Sequence, residues 1–222
     1  MARGASKLSR AAALLTLSSG ERAGVRAGVK TILCLALFCL TSLTWSAFAD
    51  ERPARWTSLF NGTNLDGWVT MNEGKFSVTN GVIHIAGGMG WLRTERMFTN
   101  FIFEAEWRGL ETNYNSGFFI RCGLEGKPFP TNGWQVNLKQ ADLGALLKNK
   151  DIILSPKPPV VQEGVWANFT MEARGQMLSL ELNDKKIYEY EFDATNGFLG
   201  IQAEGKAMEL RNLRVRELEV AR

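Results

Sequence analysis

The sequence predicts an all-β protein built as an antiparallel β-sandwich, and three patterns indicate it. Apolar residues alternate with polar ones at a period of two, no segment shows a convincing amphipathic helix, and short turn signals separate the alternating segments. A period of two is typical of strands that bury one face and expose the other. The apolar members of the clearest segments are Phe101, Phe103, Ala105 and Trp107; Trp134, Val136 and Leu138; Phe169, Met171 and Ala173; and Leu178, Leu180 and Leu182.

Two dipeptides predict tight β-hairpins between such segments. Asn80-Gly81 and Asn183-Asp184 each stand between two apolar stretches, and these residue types tolerate the positive φ that a two-residue hairpin turn requires. The predicted hairpins join 76–79 to 82–86 and 178–182 to 187–192.

The last alternating segment changes phase along its length. Met208 and Leu210 point one way, whereas Leu213 and Val215 continue in the opposite phase. One extra residue at Arg211-Asn212 would explain the change, so we expect a β-bulge there.

One long connection, from Lys139 to Gly164, contains three prolines and has no clear period. Within it, Ala141–Lys150 fits at most one or two helical turns. A connection of this length in a compact domain is often a functional lid, and a flap that packs over a sheet edge is the alternative.

The first 49 residues resemble a secretory leader. They hold six basic residues and one acid, followed by an uncharged stretch, 31–49, that ends in Ala47-Phe48-Ala49. This pattern predicts cleavage after Ala49 and export to the periplasm or the cell exterior. An uncleaved membrane anchor is the alternative, because 19 uncharged residues just suffice to span a bilayer. We assign 50–55 to a short lead and 56–222 to a single β-sandwich domain.

The composition of the part that follows the leader limits which classes of function are possible. The balance of 45% apolar and 22% charged residues is that of a globular protein. Beyond the leader, 20 basic residues face 22 acidic ones, which argues against a nucleic-acid partner. This part of the chain has one cysteine, Cys122, and one histidine, His84, so we expect no disulfide and no zinc site. We also expect no cofactor. A calcium site remains possible. We expect His84 to be structural or at the surface.

The polar faces of the predicted strands suggest a ligand. If the apolar faces pack inward, the polar side chains of several strands share an outward face. The residues expected there are Glu104, Glu106, Arg108, Arg121, Gln135, Asn137, Gln202 and Glu204. Amides, carboxylates and nearby rings (Tyr114 and Trp91, with Trp134 assigned to the core by its phase) suit a small sugar. A solvated strand face is the alternative for each charged residue.

Short motifs along the chain carry a resemblance. They are Leu59-Phe60-Asn61-Gly62 with Leu65-Asp66-Gly67-Trp68, Phe101–Arg108 with Asn115-Ser116-Gly117-Phe118-Phe119-Ile120-Arg121, Gly144-Ala145-Leu146 with Pro156-Lys157-Pro158 and Trp166, and Gly200-Ile201-Gln202 with Arg211-Asn212-Leu213. As an ordered set they resemble the 3-keto-disaccharide hydrolase family, also described as 3-keto-glycoside lyase/hydratase. The resemblance implies a concanavalin-like β-sandwich, or jelly roll.

The resemblance also implies a reaction. A ketone at C3 of a sugar acidifies the C2 hydrogen, a base removes that proton, an acid protonates the departing glycosidic oxygen, and water then adds back. By position, Arg121 would orient the ketone, and Glu106 and Glu204 would handle protons. The residues expected to bind the sugar are Gln135, Asn137, Gln202, Arg108, Tyr114 and Trp91.

Among the departures from the family pattern, two fall at candidate proton-handling positions. The family element E-x-Q-I reads Gln135-Val136-Asn137-Leu138 here, and the late L-Q-x-H has Glu204 in place of the histidine. Either Glu204 has taken over proton transfer with a different partner, or catalysis is lost and sugar binding kept. An exported enzyme, a noncatalytic sugar-binding module and a protein-interaction domain therefore stay open.

Overall fold

Fifteen β-strands and one 3-10 turn form the computed structural model over the described residues, 54–205 and 207–219. The predicted leader, and all but the last two residues of the lead, lie outside this part of the chain. The strands are β1 (Trp56–Ser58), β2 (Trp68–Asn72), β3 (Phe76–Thr79), β4 (Val82–Ile85), β5 (Met89–Phe98), β6 (Phe101–Gly109), β7 (Gly117–Cys122), β8 (Trp134–Asn137), β9 (Leu146–Lys148), β10 (Asp151–Leu154), β11 (Ala167–Arg174), β12 (Met177–Leu182), β13 (Lys185–Glu191), β14 (Gly197–Glu204) and β15 (Met208–Glu217).

The strands form two sheets, and every pairing is antiparallel. Sheet A has the order β13-β12-β11-β6-β15-β4-β3, with β1 paired to β15. Sheet B has the order β10-β9-β8-β7-β14-β5-β2. The fold is thus the predicted β-sandwich of concanavalin-like type. Consecutive strands β6 and β7 belong to different sheets.

An aromatic cluster joins the sheets. The ring of Phe118 in sheet B meets Phe103 and Phe169 of sheet A edge-on, with centroids 5.4 and 6.4 Å apart. Trp107 lies 5.8 Å from Phe169 and 5.6 Å from the buried Tyr114. Such pairs contribute about 0.5–1.5 kcal/mol each beyond the area that they bury.

The predicted turns and bulge are confirmed. Asn80-Gly81 connects β3 to β4 with φ values of 53° and 77°, and Asn183-Asp184 connects β12 to β13 with 48° and 60°. The pairing of β15 with β6 shifts register between Arg211 and Arg214. Asn212, inside the shift, has a φ of 54°.

The segment 141–150 contains a single helical turn at its start, the lower limit of the expectation, and the rest of it is not helical. A 3-10 turn spans Gln140–Asp142, and β9 and β10 then form a hairpin. Asn149 and Lys150 make its turn with φ values of 47° and 73°. The hairpin extends sheet B, because β9 pairs with β8.

Two features are absent from the described residues. No helix among them is long and apolar enough to cross a membrane. Nor do they contain three or more His, Cys, Asp or Glu side chains grouped so as to hold a metal ion.

Cys122 provides a test of the packing. Its thiol is buried, and desolvation raises its pKa to about 12. Since only the thiolate attacks an alkylating agent, we expect iodoacetamide at pH 8 to modify native Cys122 at least ~100-fold more slowly than the unfolded chain. Peptide-resolved mass spectrometry measures both rates and separates Cys122 from Cys34 and Cys39. Equal rates would contradict the burial.

Candidate functional site

A cavity of about 310 Å³ lies on the outer face of sheet B, the side away from sheet A. Its size is within the range of small-molecule sites. Strands β7, β8, β9 and β14 supply its base, and the loops after β7 and β8 supply walls. The lining residues are Met89, Asn115, Phe119, Phe129, Pro130, Gly133, Trp134, Gln135, Asn137, Lys139, Asp142, Leu147, Asn149, Lys150, Ile152, Gln202 and Glu204.

Strand register explains why amides meet here. Asn137 stands opposite Gly117 across β8 and β7, and Gln202 stands opposite Trp91 across β14 and β5. On each strand these residues alternate with core residues such as Val136. A period of two therefore sends the apolar residues to the core and the amides to the outer face.

Three side chains form a hydrogen-bonded row. Gln135 Nε2 donates to Gln202 Oε1 at 2.7 Å, and Gln202 Nε2 donates to Glu204 Oε2 at 2.8 Å. Gly117 makes room for the row, because a Cβ there would come within 2.2 Å of Gln135 Nε2. The row fixes the orientation of both amides and presents a carboxylate at its end.

Aromatic rings form the floor. Trp91 meets Phe119 edge-on at 5.5 Å, and Phe119 lies 6.0 Å from Phe129. Trp91 is buried beneath the lining residues and packs on Gly200, where a Cβ would stand 2.5 Å from its ring. Trp91 supports the floor, and Phe119 and Phe129 line the cavity.

Charged groups surround the amides. Lys139 Nζ lies 3.5 Å from Asp142 Oδ2, and Lys150 and Glu204 also line the cavity. Both signs of charge are present, so the cavity does not select strongly for an ion of one sign. The amides can hydrogen-bond to hydroxyl groups, and the apolar floor can pack against C–H groups. The cavity is therefore suited to a polyhydroxylated ligand.

The expectation that Glu104, Glu106 and Arg108 share this face is wrong. All three lie on β6, in sheet A, on the opposite side of the sandwich. There Arg108 Nε donates to Glu209 Oε2 at 2.6 Å, and Glu209 Oε1 lies 3.1 Å from His84 Nδ1. His84 thus has the structural role that the sequence suggested.

Glu106 is held as an ion-pair partner. Arg211 Nε and Asn212 Nδ2 each donate to its carboxylate at 2.7 Å. Burial would raise its pKa, but these hydrogen bonds and the nearby guanidinium groups outweigh it and lower the pKa. A carboxylate that stays ionised and paired is poorly suited to proton transfer.

Arg121 does not reach the cavity on sheet B either. It is 2% exposed and has a φ of 52°. Its guanidinium donates to Ala194 O at 2.6 Å and to Thr99 O at 3.1 Å, and it lies over the ring of Phe192. Burial lowers its pKa. Arg121 therefore ties two loops together.

Tyr114 is also placed elsewhere than expected. It is buried against Trp107 in the core, and it lines a different cavity, beside Pro156–Pro159. The site residues that sequence reasoning missed lie mainly on the β9–β10 hairpin and the loop before β8: Leu147, Asn149, Lys150, Ile152, Phe129 and Lys139. The Asn149-Lys150 dipeptide was the available signal for that hairpin.

Comparison with known proteins agrees with this architecture. Residues 55–216 match the 3-keto-alpha-glucoside-1,2-lyase-like domain. The chain belongs to this family. The match covers nearly all of the described residues and supports a carbohydrate-related function. No curated protein sequence matches the chain.

Solved structures establish the fold. A candidate glycosyl hydrolase from Parabacteroides distasonis is 20% identical with a TM-score of 0.61, covering 74% of this chain and 94% of that one. The carbohydrate-binding module CBM66 from Bacillus subtilis is 18% identical with a TM-score of 0.58, covering 68% and 96%. The β-glucanase of Bacillus licheniformis is 9% identical with a TM-score of 0.52, covering 76% and 100%. This family fold thus occurs in both hydrolases and binding modules.

The loop-tying assignment of Arg121 predicts a stability effect. Arg121→Met would leave the Ala194 and Thr99 carbonyls without their donor, so we expect the free energy of unfolding to fall by about 2–4 kcal/mol. Urea denaturation measures it. Arg174→Met, which removes an exposed ion pair, should change stability by less than about 1 kcal/mol. An Arg121→Met variant of unchanged stability would contradict the assignment.

Proposed function

We propose that the chain is an exported enzyme that cleaves 3-keto-glycosides by elimination and hydration in the cavity on sheet B, with Glu204 as the proton-transfer group. One observation carries the proposal: Glu204 ends a row of hydrogen-bonded amides inside a cavity of sugar-binding size. The family match supports the reaction class.

The proposed reaction begins at C2. The C3 ketone acidifies the C2 hydrogen, Glu204 accepts that proton, and the electron pair forms an enolate. The enolate then collapses to a C1–C2 double bond as the C1–O bond breaks, and the glycosidic oxygen takes up the proton. Water adds across the double bond, placing hydroxyl at C1 and hydrogen at C2, so the net result is hydrolysis.

Glu204 is favoured over the other carboxylate in the cavity. Asp142 is the only other acid among the lining residues, and Lys139 lies 3.5 Å from it. Glu204 instead receives a hydrogen bond from the neutral amide of Gln202, which holds one of its oxygens in place. That arrangement leaves its other oxygen to meet a substrate.

The remaining polar groups have roles that follow from their chemistry. An enolate oxygen at C3 needs a donor, and the Asn137 amide and the Lys150 ammonium are donors in the cavity. Gln202 orients Glu204, Gln135 holds Gln202 in place, and both amides bind hydroxyl groups. Phe119 offers an apolar surface to the C–H face of a sugar ring.

Sugar binding without turnover is the second candidate function. It is favoured by the amide at position 135, since Gln135 cannot accept a proton where the family pattern has glutamate. The same amide row would then serve only to bind hydroxyl groups. The two candidates differ in what Glu204 does.

Substituting Glu204 separates them. Glu204→Gln keeps the size of the side chain and removes the base, so we expect turnover of 3-keto-trehalose or an aryl 3-keto-glucoside to fall by about 10²–10⁴-fold. Binding measured by calorimetry should change much less. Sugar release by the parent protein no faster than in buffer, with binding intact, would favour the binding module.

Glu106→Gln is the matched comparison. It makes the same chemical change on the opposite sheet, so we expect turnover to stay within about twofold of the parent. Loss of the surface ion pair with Arg211 should lower stability by no more than about 1 kcal/mol. A large loss of turnover in Glu106→Gln would place the chemistry on sheet A instead.

N-terminal sequencing of the protein recovered from outside the cytoplasm tests the proposed export. We expect Asp50 to be the first residue, because cleavage is predicted after Ala49.

A further inference from the structure

The outer face of sheet A carries a polar groove that the proposed reaction does not use. It consists of two cavities, of about 530 and 230 Å³, that share Glu104 as a lining residue. The larger is within the size range of ligand sites. We call this larger cavity the sheet A groove, and the lining residues that matter below are Trp56, Ser58, Glu104, Glu106, Asn168, Asn212 and Arg214.

The β-bulge in β15 creates the groove. Arg211 stands opposite Glu106, and Arg214 stands opposite Glu104, so two residues of β15 face the single residue Ala105. This mismatch separates the side chains of Arg211 and Arg214 along the strand. Bulges often occur beside functional sites, because they redirect side chains.

Charges in the groove are balanced in pairs. Arg214 Nε donates to Glu104 Oε2 at 2.6 Å, and Arg211 Nε donates to Glu106 Oε2 at 2.7 Å. Asn212 Nδ2 holds the other oxygen of Glu106 at 2.7 Å. A ligand with a net charge would gain little from such a surface. A neutral ligand whose groups both donate and accept hydrogen bonds would match it.

Asn168 supplies an unused acceptor. Its Oδ1 is buried and has no hydrogen-bond partner among the described residues. Its backbone is held on both sides, because its N–H donates to Asn183 Oδ1 at 2.8 Å and its carbonyl accepts from the Asn183 N–H at 2.9 Å. A buried acceptor without a partner destabilises a fold by roughly 1–3 kcal/mol, and a ligand hydroxyl would remove that penalty.

Trp56 provides an apolar wall. The guanidinium carbons of Arg214 and Arg216 lie 4.5 and 5.0 Å from its ring centroid. These cation–π contacts hold the indole in place beside Ser58. The groove therefore combines hydroxyl-binding groups with an aromatic side chain, as a carbohydrate requires.

We propose that the sheet A groove is a second carbohydrate-binding site, which takes a neutral oligosaccharide segment and does not cleave it. The carboxylates of the groove are paired with arginines. They can still accept hydrogen bonds from the hydroxyl groups of a sugar, but they are poorly suited to removing a proton from it. Because the two sites are on opposite sheets, both can be occupied at once. The proposal does not depend on the reaction assigned to Glu204.

Affinity electrophoresis of the full chain tests the proposal. The probes are soluble neutral polysaccharides cast separately into native gels: amylose, arabinoxylan, mixed-linkage β-glucan, galactomannan and dextran. We expect at least one to retard the protein, and Ile152→Trp, which places a larger side chain in the cavity on sheet B, to be retarded equally. Asn168→Ala should weaken the affinity by roughly three- to tenfold, as expected for one lost hydrogen bond. Gln162→Ala, an exposed amide that lines neither cavity, is the control and should be unchanged.

Thermal unfolding gives a second readout. Because Oδ1 of Asn168 has no partner, Asn168→Ala should melt at or above the temperature of the parent protein, whereas a structural asparagine would lower it. Ser58→Tyr places a ring at the exposed edge of the groove and should abolish retardation by steric exclusion. Each of four results would overturn the proposal: no retardation by any polysaccharide, retardation lost in Ile152→Trp, unchanged affinity in Asn168→Ala and Ser58→Tyr, or a melting temperature several degrees lower in Asn168→Ala.

Discussion

The contact of Phe118 with Phe103 and Phe169 is the constraint on which the rest of the structure depends. Once Phe118 points into the sandwich, its neighbours Gly117 and Phe119 must point out of sheet B, towards the cavity. Once Phe103 points in, Glu104 must point out of sheet A. The same ring contacts thus orient both polar surfaces, since a slip of one residue in either strand would turn its polar side chains into the core.

The cavity on sheet B departs from what stability alone would favour. Gln135, Asn137 and Gln202 are 9%, 5% and 4% exposed, and buried amides destabilise a fold unless they are hydrogen-bonded. Gln135 Nε2 donates to Gln202 Oε1, and Gln202 Nε2 donates to Glu204, so both groups of the Gln202 amide have a partner. Apolar side chains on this face would be simpler to bury, and this is why the proposed ligand site is placed at the amide row.

The two sheets use charge differently. On sheet A, carboxylates meet arginines across β6 and β15, and each such pair stabilises locally and is weakened by salt. On sheet B, Glu204 has an amide neighbour instead. A carboxylate paired with a guanidinium has its charge compensated by that partner, whereas Glu204 accepts a hydrogen bond from a neutral amide. This contrast, more than cavity size, separates a candidate reaction site from a candidate binding surface.

Sequence by itself determined the strand phases, the Asn80-Gly81 and Asn183-Asp184 turns, and the bulge near Asn212, because each depends on residues adjacent in the chain. It also predicted that a common outward face holds Gln135, Asn137, Gln202 and Glu204, because each of them alternates with core residues on its own strand. Only the tertiary structure decided that β6 lies in sheet A, so that Glu106 and Arg108 are far from the amides of sheet B. It alone also decided that the side chains of Arg121 and Tyr114 turn inward. Strand pairing joins residues far apart in the chain, such as Phe118 and Ile201, and the period of two along one strand carries no information about which strand lies beside it.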